Sequence, residues 1–165
     1  MESLEIILEK NPGKPFSDTE KEAMAADKNE IYKELLHQMT EADLSDEVRA
    51  ALQNLRAKGL KLAIGSSSRN TKLILSRIGL EYFFDAVSDG NNITHSKPHP
   101  EVFQKAAQML GIDPEHCLVV EDAISGAEAG HAAGMRVACI GDAAEHGAGD
   151  WNMKCFREME EIVEL

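Results

Sequence analysis

The run LKLAIGSSSRN, residues 60–70, passes from six mostly apolar residues that end at Gly65 into three serines, an arginine and an asparagine. An apolar run of that length, bounded by turn-forming residues, reads as a buried strand. The polar group behind it opens a helix predicted to end near Gly79. Just upstream, SDEVRAALQNLRAKG (45–59) offers an N-cap serine, acids in its first turn, an apolar stripe of Val48, Ala51, Leu52 and Leu55, and a terminal Gly59. Downstream the alternation continues with strand FFDAVS, helix PEVFQKAAQMLG, strand CLVVE, helix AISGAEAGHAAG and strand RVACIG. Helices alternating with short apolar strands predict an α/β fold built on a Rossmann-like parallel sheet.

Before Ser45 the pattern is different. SLEIILEK is a short amphipathic segment and KNPGKP a turn-rich break. Ser17 and Glu20 have capping-box spacing and open a long helix, DTEKEAMAADKNEIYKELLHQM. Its apolar positions Met24, Ile31, Leu35, Leu36 and Met39 share roughly one face. The expected organisation is a partial helical cap over residues 1–43 and an α/β core over 44–165.

Composition narrows the function classes. The chain has 165 residues, 43% of them hydrophobic, which supports one domain or one domain with an appendage. A formal charge of −12 repels a nucleic-acid backbone or an anionic membrane on average, so neither is an expected partner. No apolar run approaches a bilayer span and the N-terminus lacks signal-peptide regions, so a cytoplasmic location is expected. Cys117, Cys139 and Cys155 show no metal or redox spacing and are expected as buried reduced thiols. The six histidines form no HxxxH pair on a helix, so zinc is not expected.

In open parallel sheets ligands sit beyond the carboxyl ends of the strands. After LKLAIG stand Ser66, Ser67, Ser68, Arg69 and Asn70, whose hydroxyls, amides and guanidinium suit a phosphate, although a serine N-cap reads the same residues equally well. After FFDAVS, Lys97 is held between Ser96 and Pro98. After CLVVE come Glu121 and Asp122; Asp122 is placed to cap a helix, whereas Glu121 ends an apolar strand and needs a cation. Two adjacent carboxylates form a hard-oxygen site suited to Mg²⁺.

Together these three strand ends resemble the haloacid dehalogenase superfamily of phosphotransferases. LAIGSSSRN resembles its second motif, SKPHPEVF its third and VVEDAISGAEAGHAAGM its fourth. With SLEIIL and DKNEIYKELL the resemblance narrows to the β-phosphoglucomutase branch and covers nearly the whole chain. It implies that Ser66 hydrogen-bonds the transferring phosphoryl group and that Lys97 neutralises its charge. Ser67, Ser68, Arg69 and Asn70 belong to the loop that grips a second phosphate, and Lys28 reaches the substrate from the cap. Glu121 and Asp122 would hold Mg²⁺ for in-line transfer between positions of a hexose phosphate. A phosphatase of sugar phosphates, or a phosphate-binding module without turnover, are the alternatives.

The same resemblance exposes a departure. Family members carry their nucleophile and acid/base as an Asp-x-Asp motif at the end of a first strand, upstream of the cap. Here Met1 falls within the cap; Asp27, Asp43 and Asp46 occupy helical or helix-start settings instead. The core is therefore expected to lack its first strand, which in the family lies between LAIG and CLVVE, and the chain by itself is expected to be inactive. Loss of that strand should leave two unpaired edges or force them together. A complete member is expected as a monomer; this chain is open to strand complementation or self-association.

Overall fold

The computed structural model describes residues 16–164, so SLEIILEK and KNPGKP lie outside the described residues. The chain divides between Met39 and Thr40 into two compact units. Among the described residues no helix is long and apolar enough to cross a membrane.

The first unit holds α1 (Asp18–Leu36). Its capping box forms as the sequence predicts: Glu20 N donates to Ser17 Oγ at 3.3 Å, and Ser17 N donates to the Glu20 carboxylate at 2.8 Å. The helix stops at Leu36, short of the Met39 expected, because Gln38 and Met39 donate to carbonyls three residues back and tighten the last turn. The apolar stripe is not one buried face. Leu36 is 5% exposed, whereas Ile31 and Leu35 are 61% and 57% exposed.

The second unit runs through α2 (Asp46–Ala57), β1 (Ala63–Gly65), α3 (Thr71–Arg77), β2 (Ala86–Ser88) and α4 (Glu101–Leu110). It continues with β3 (Leu118–Glu121), α5 (Ile124–Ala132), β4 (Arg136–Cys139), α6 (Gly141–Glu145), β5 (Trp151–Asn152) and α7 (Met159–Ile162). Every strand pairing is parallel, as expected for helix-connected strands. The strands form two sheets, β1–β2 and β3–β4–β5. Among the described residues β1 and β3 do not pair with each other.

Each sheet has its own packing. Leu52 of α2, Leu75 of α3 and Leu80 cluster with Ile64 and Val87 over the first sheet. Val102, Phe103 and Ala107 of α4 join Ala127 and Ala129 of α5 against Val119 and Val137. On the other face Met153 and Met159 pack with Ala138, Leu118, Val120 and Trp151. Burying side chains of this kind contributes about 1.5–3 kcal/mol each, so α4, which packs on β1, β2 and α5, is a main tie between the halves. α2 supplies a second tie through its contacts with α7 and the turn at Phe156–Glu158.

The thiols differ from expectation. Cys139 is fully buried, and burial, reinforced by the Glu121 carboxylate, raises its pKa. Cys117 is half-buried and Cys155 is exposed, because Cys155 precedes a surface turn while the neighbouring Met153 turns into the core.

Candidate functional site

The turn after β1 is held by its own hydroxyls. Ser66 N donates to Ser88 O at 2.9 Å, extending the β1–β2 ladder by one bond. Ser68 N donates to Ser66 Oγ at 3.1 Å and Asn70 N to Ser68 Oγ at 3.1 Å. The serines brace the turn and do not cap the helix, whose N-cap is Asn70 without a side-chain cap bond; a hydroxyl that accepts an amide still has a proton to donate. Ser67 and Arg69 are exposed, Ser66 and Ser68 half-buried, and Asn70 buried at the start of α3.

A second turn, after β2, supports the first. Gly90 N donates to Ser68 O at 3.0 Å, and Asn91 Nδ2 donates to Arg69 O at 2.9 Å. A Cβ on Gly90 would lie 2.9 Å from Arg69 N, so only glycine permits this approach. Asp89, unremarked in the sequence, is 3% exposed; its Oδ1 accepts from Asn91 N at 2.9 Å and its Oδ2 is a buried acceptor without a hydrogen-bond partner. The signal for it was a carboxylate directly behind an apolar strand.

Lys97 lies in the loop between β2 and α4, ahead of a cis Lys97–Pro98 bond. Glu101, from the first turn of α4, anchors this loop by accepting from Thr94 N at 3.0 Å and His95 N at 2.8 Å. Lys105 binds the other Glu101 oxygen at 2.8 Å. The Lys105 ammonium, and after it the loop amides, hold the Glu101 carboxyl down at about 2. Side-chain nitrogens of His95 and His99 lie with a Glu101 oxygen within 4.8 Å of one another, the one such triple among the described residues. Its Glu101 oxygen is already engaged by three loop groups, consistent with a scaffolding role.

The Lys97 ammonium pairs with the Glu121 carboxylate at the end of β3. The side chains are 17% and 8% exposed, so the pair is largely removed from water. Lys97 also lies 4.8 Å from the centre of the Phe103 ring. That ring faces Gly65, where a Cβ would fall 2.7 Å from it. An unbroken contact chain thus runs from Gly65, the residue before Ser66, through Phe103 and Lys97 to Glu121. Phe103 was not singled out in the sequence, where an aromatic on an apolar helix face reads as ordinary core.

Glu121 and Asp122 offer the oxygen donors a hard divalent cation requires. Glu121 fits such a role for a further reason: a Cβ on Gly126 would overlap its carboxylate, so the glycine in SGAEAG keeps the space that the acid occupies. Asp122 is exposed, with its carbonyl accepting from Ala143 N at 2.9 Å. Lys28 is an exposed residue of α1 in the other unit.

Comparison with known proteins gives a consistent picture. The model of the haloacid dehalogenase-like hydrolases matches residues 6–140. A β-phosphoglucomutase of Bacillus subtilis is 34% identical over 141 residues, 85% of this chain and 62% of that protein. A fructose-1-phosphate phosphatase of Escherichia coli is 33% identical over 119 residues, 72% of this chain and 62% of that protein. The crystal structure of a β-phosphoglucomutase from Clostridium difficile superposes with a TM-score of 0.91 at 30% identity, covering 99% of this chain and 74% of that one. The chain thus spans 62% of the length of each of these two curated relatives.

Proposed function

The chain belongs to the haloacid dehalogenase-like hydrolase family, and from that membership we propose that it is the phosphate- and magnesium-binding part of a β-phosphoglucomutase-like phosphotransferase. The observation that carries the reading is the Lys97–Glu121 pair, joined through Phe103 to the turn that begins at Ser66. Its proposed substrates are phosphorylated hexoses, the class named for the relatives.

The residues divide the work by their chemistry. The Ser66 hydroxyl donates to an oxygen of the reacting phosphoryl group, and Lys97, largely desolvated beside Phe103, balances its charge. Arg69, with Ser67, Ser68 and Asn70, holds the second phosphate, Arg69 being able to present two parallel donors. Glu121 and Asp122 would hold Mg²⁺, which when bound supplies charge stabilisation at the phosphoryl oxygens.

An aspartyl-phosphate route needs a carboxylate facing Ser66 and Lys97. Among the described residues, Asp89 and Asp122 directly follow strands; Asp89 is 3% exposed with one oxygen fixed by Asn91, and Asp122 serves the cation. The proposed activity of these 165 residues alone is therefore binding without turnover. Titration calorimetry of the full chain with glucose 6-phosphate and MgCl₂ tests it. Saturable, magnesium-enhanced binding is expected, weakened about tenfold or more by Ser66→Ala, the loss typical of one hydrogen bond to a charged group. Binding indifferent to both magnesium and Ser66→Ala would reject the site. Turnover to glucose 1-phosphate or inorganic phosphate would reject the inactivity. The similarity to a fructose-1-phosphate phosphatase supports hydrolysis as the second reading, separated from mutase chemistry by which product a completed enzyme releases.

A further inference from the structure

Arg69 grips the second phosphate in the reading above, yet its side chain is exposed and residues 66–69 belong to no helix or strand. A guanidinium on an irregular turn binds an anion well only when the backbone beneath it is already fixed, because ordering it during binding consumes affinity.

The turn behind β2 does that fixing. Asn91 Nδ2 donates to Arg69 O at 2.9 Å and to Asp89 Oδ1 at 3.1 Å. A side-chain amide has two protons to donate, so both are engaged and its orientation is set. Asp89 Oδ1 also accepts from Asn91 N at 2.9 Å, so one carboxylate oxygen holds Asn91 by its backbone and its side chain. Asp89 is anchored in turn: its N donates to Asn92 Oδ1 at 3.0 Å, and Asn92 N donates back to Asp89 O at 3.0 Å.

We propose that Asn91, held by Asp89, is a positioning residue that sets Arg69 for the second phosphate of a bisphosphorylated sugar, and thereby sets how strongly the chain prefers two phosphates to one. Two observations separate this role from ordinary packing. Asp89 is 3% exposed with an Oδ2 that has no hydrogen-bond partner, a costly arrangement where an apolar side chain would fill the space more cheaply. What the carboxylate adds is an acceptor that binds the two donors of Asn91 more strongly than a neutral oxygen does. Asn91 itself is exposed, so it contributes little to the core and its main structural effect is on Arg69 O. The inference rests on the second-phosphate reading of Arg69 and adds the residues that aim it.

The test is calorimetry of the full chain in MgCl₂ with glucose 1,6-bisphosphate and inorganic phosphate as probes. The wild-type chain is expected to bind the bisphosphate about tenfold tighter or more, and Asn91→Ala to weaken it about threefold to tenfold while inorganic phosphate changes less than about twofold. Asp89→Asn keeps an acceptor for Asn91 and should retain most of the preference. In an Arg69→Ala background, Asn91→Ala should weaken the bisphosphate by no more than about twofold, because its effect passes through Arg69. Without any ligand, amide exchange at residues 69–71 should quicken in Asn91→Ala. Equal weakening of both probes by Asn91→Ala would make Asn91 a general brace and overturn the proposal, as would unchanged affinities or unchanged exchange. Full weakening in the Arg69→Ala background would show Asn91 acting on the ligand itself, which also overturns it. A wild-type chain that binds the two probes equally would instead reject the second-phosphate reading, and this inference with it.

Discussion

Gly65 and Phe103 meet face to face, and that contact ties the turn after β1 to the helix beneath Lys97. A Cβ on Gly65 would lie 2.7 Å from Cδ1 and Cε1 of the ring, inside any tolerable separation. Gly65→Ala must displace the ring, and overpacking of this kind costs about 1–3 kcal/mol. The displaced ring carries Lys97 with it. Denaturant unfolding should show that loss, and phosphate affinity should fall in the same variant; a stability loss with unchanged affinity would separate Phe103 from the site.

Two glycines of α5 give opposite outcomes. A Cβ on Gly126 overlaps the Glu121 carboxylate, whereas one on Gly130 meets Val137 at 2.7 Å and Val119 at 3.3 Å in the core. Gly126→Ala is expected to lower magnesium affinity at least tenfold with modest change in Tm. Gly130→Ala is expected to cost about 1–3 kcal/mol of stability without a specific effect on magnesium. Calorimetry paired with thermal unfolding of the two variants separates them.

Lys97 and Glu121 form a largely buried ion pair, so removing one partner strands the other. Lys97→Ala is expected to destabilise by about 3 kcal/mol, the low end for such pairs because the lysine keeps some contact with water. Lys97→Ala combined with Glu121→Gln should recover much of that loss. A double-mutant cycle with no coupling would contradict the pairing.

The loop that carries Lys97 should loosen in acid. Glu101 is held from 4.5 down to about 2, chiefly by Lys105 and then by the amides of His95 and Thr94. A depressed carboxyl contributes stability that is complete above its unfolded value and is lost as pH falls through the folded one. The destabilisation caused by Glu101→Gln is therefore expected to be constant above about pH 5 and to shrink between 4.5 and about 2. Unfolding midpoints of both proteins across that range check it; a pH-independent difference would remove the carboxylate as the anchor.

The helix and strand order from Ser45 onward was legible because each apolar run is bounded by a cap or a glycine, as at Ser45, Gly59 and Gly111. Strand lengths were not. LKLAIG reads as six residues, yet only Ala63–Gly65 pair, because the β2 partner segment in register with it spans only Ala86–Ser88. β5, two residues long, is too short to carry a period. The candidate site was visible as polar groups behind strands, which local pattern records well. Its connecting pieces, Phe103, Gly126 and Glu101, act through contacts distant in sequence, and each looks unremarkable in its own segment. The exposed Ile31 and Leu35 show the same limit: periodicity gives a face, and only packing decides whether anything covers it.

Trp151 is the chain's one tryptophan, and it stands half-buried on β5 in the wall of a groove of about 810 Å³ that Ile64 and Val120 also line. Its indole is therefore a built-in optical sensor: water reaching the ring reddens its emission, and anything that seals the groove should shift the light toward the blue. Occupancy of that cleft can be followed in unlabelled protein, at concentrations low enough to keep separate molecules from meeting.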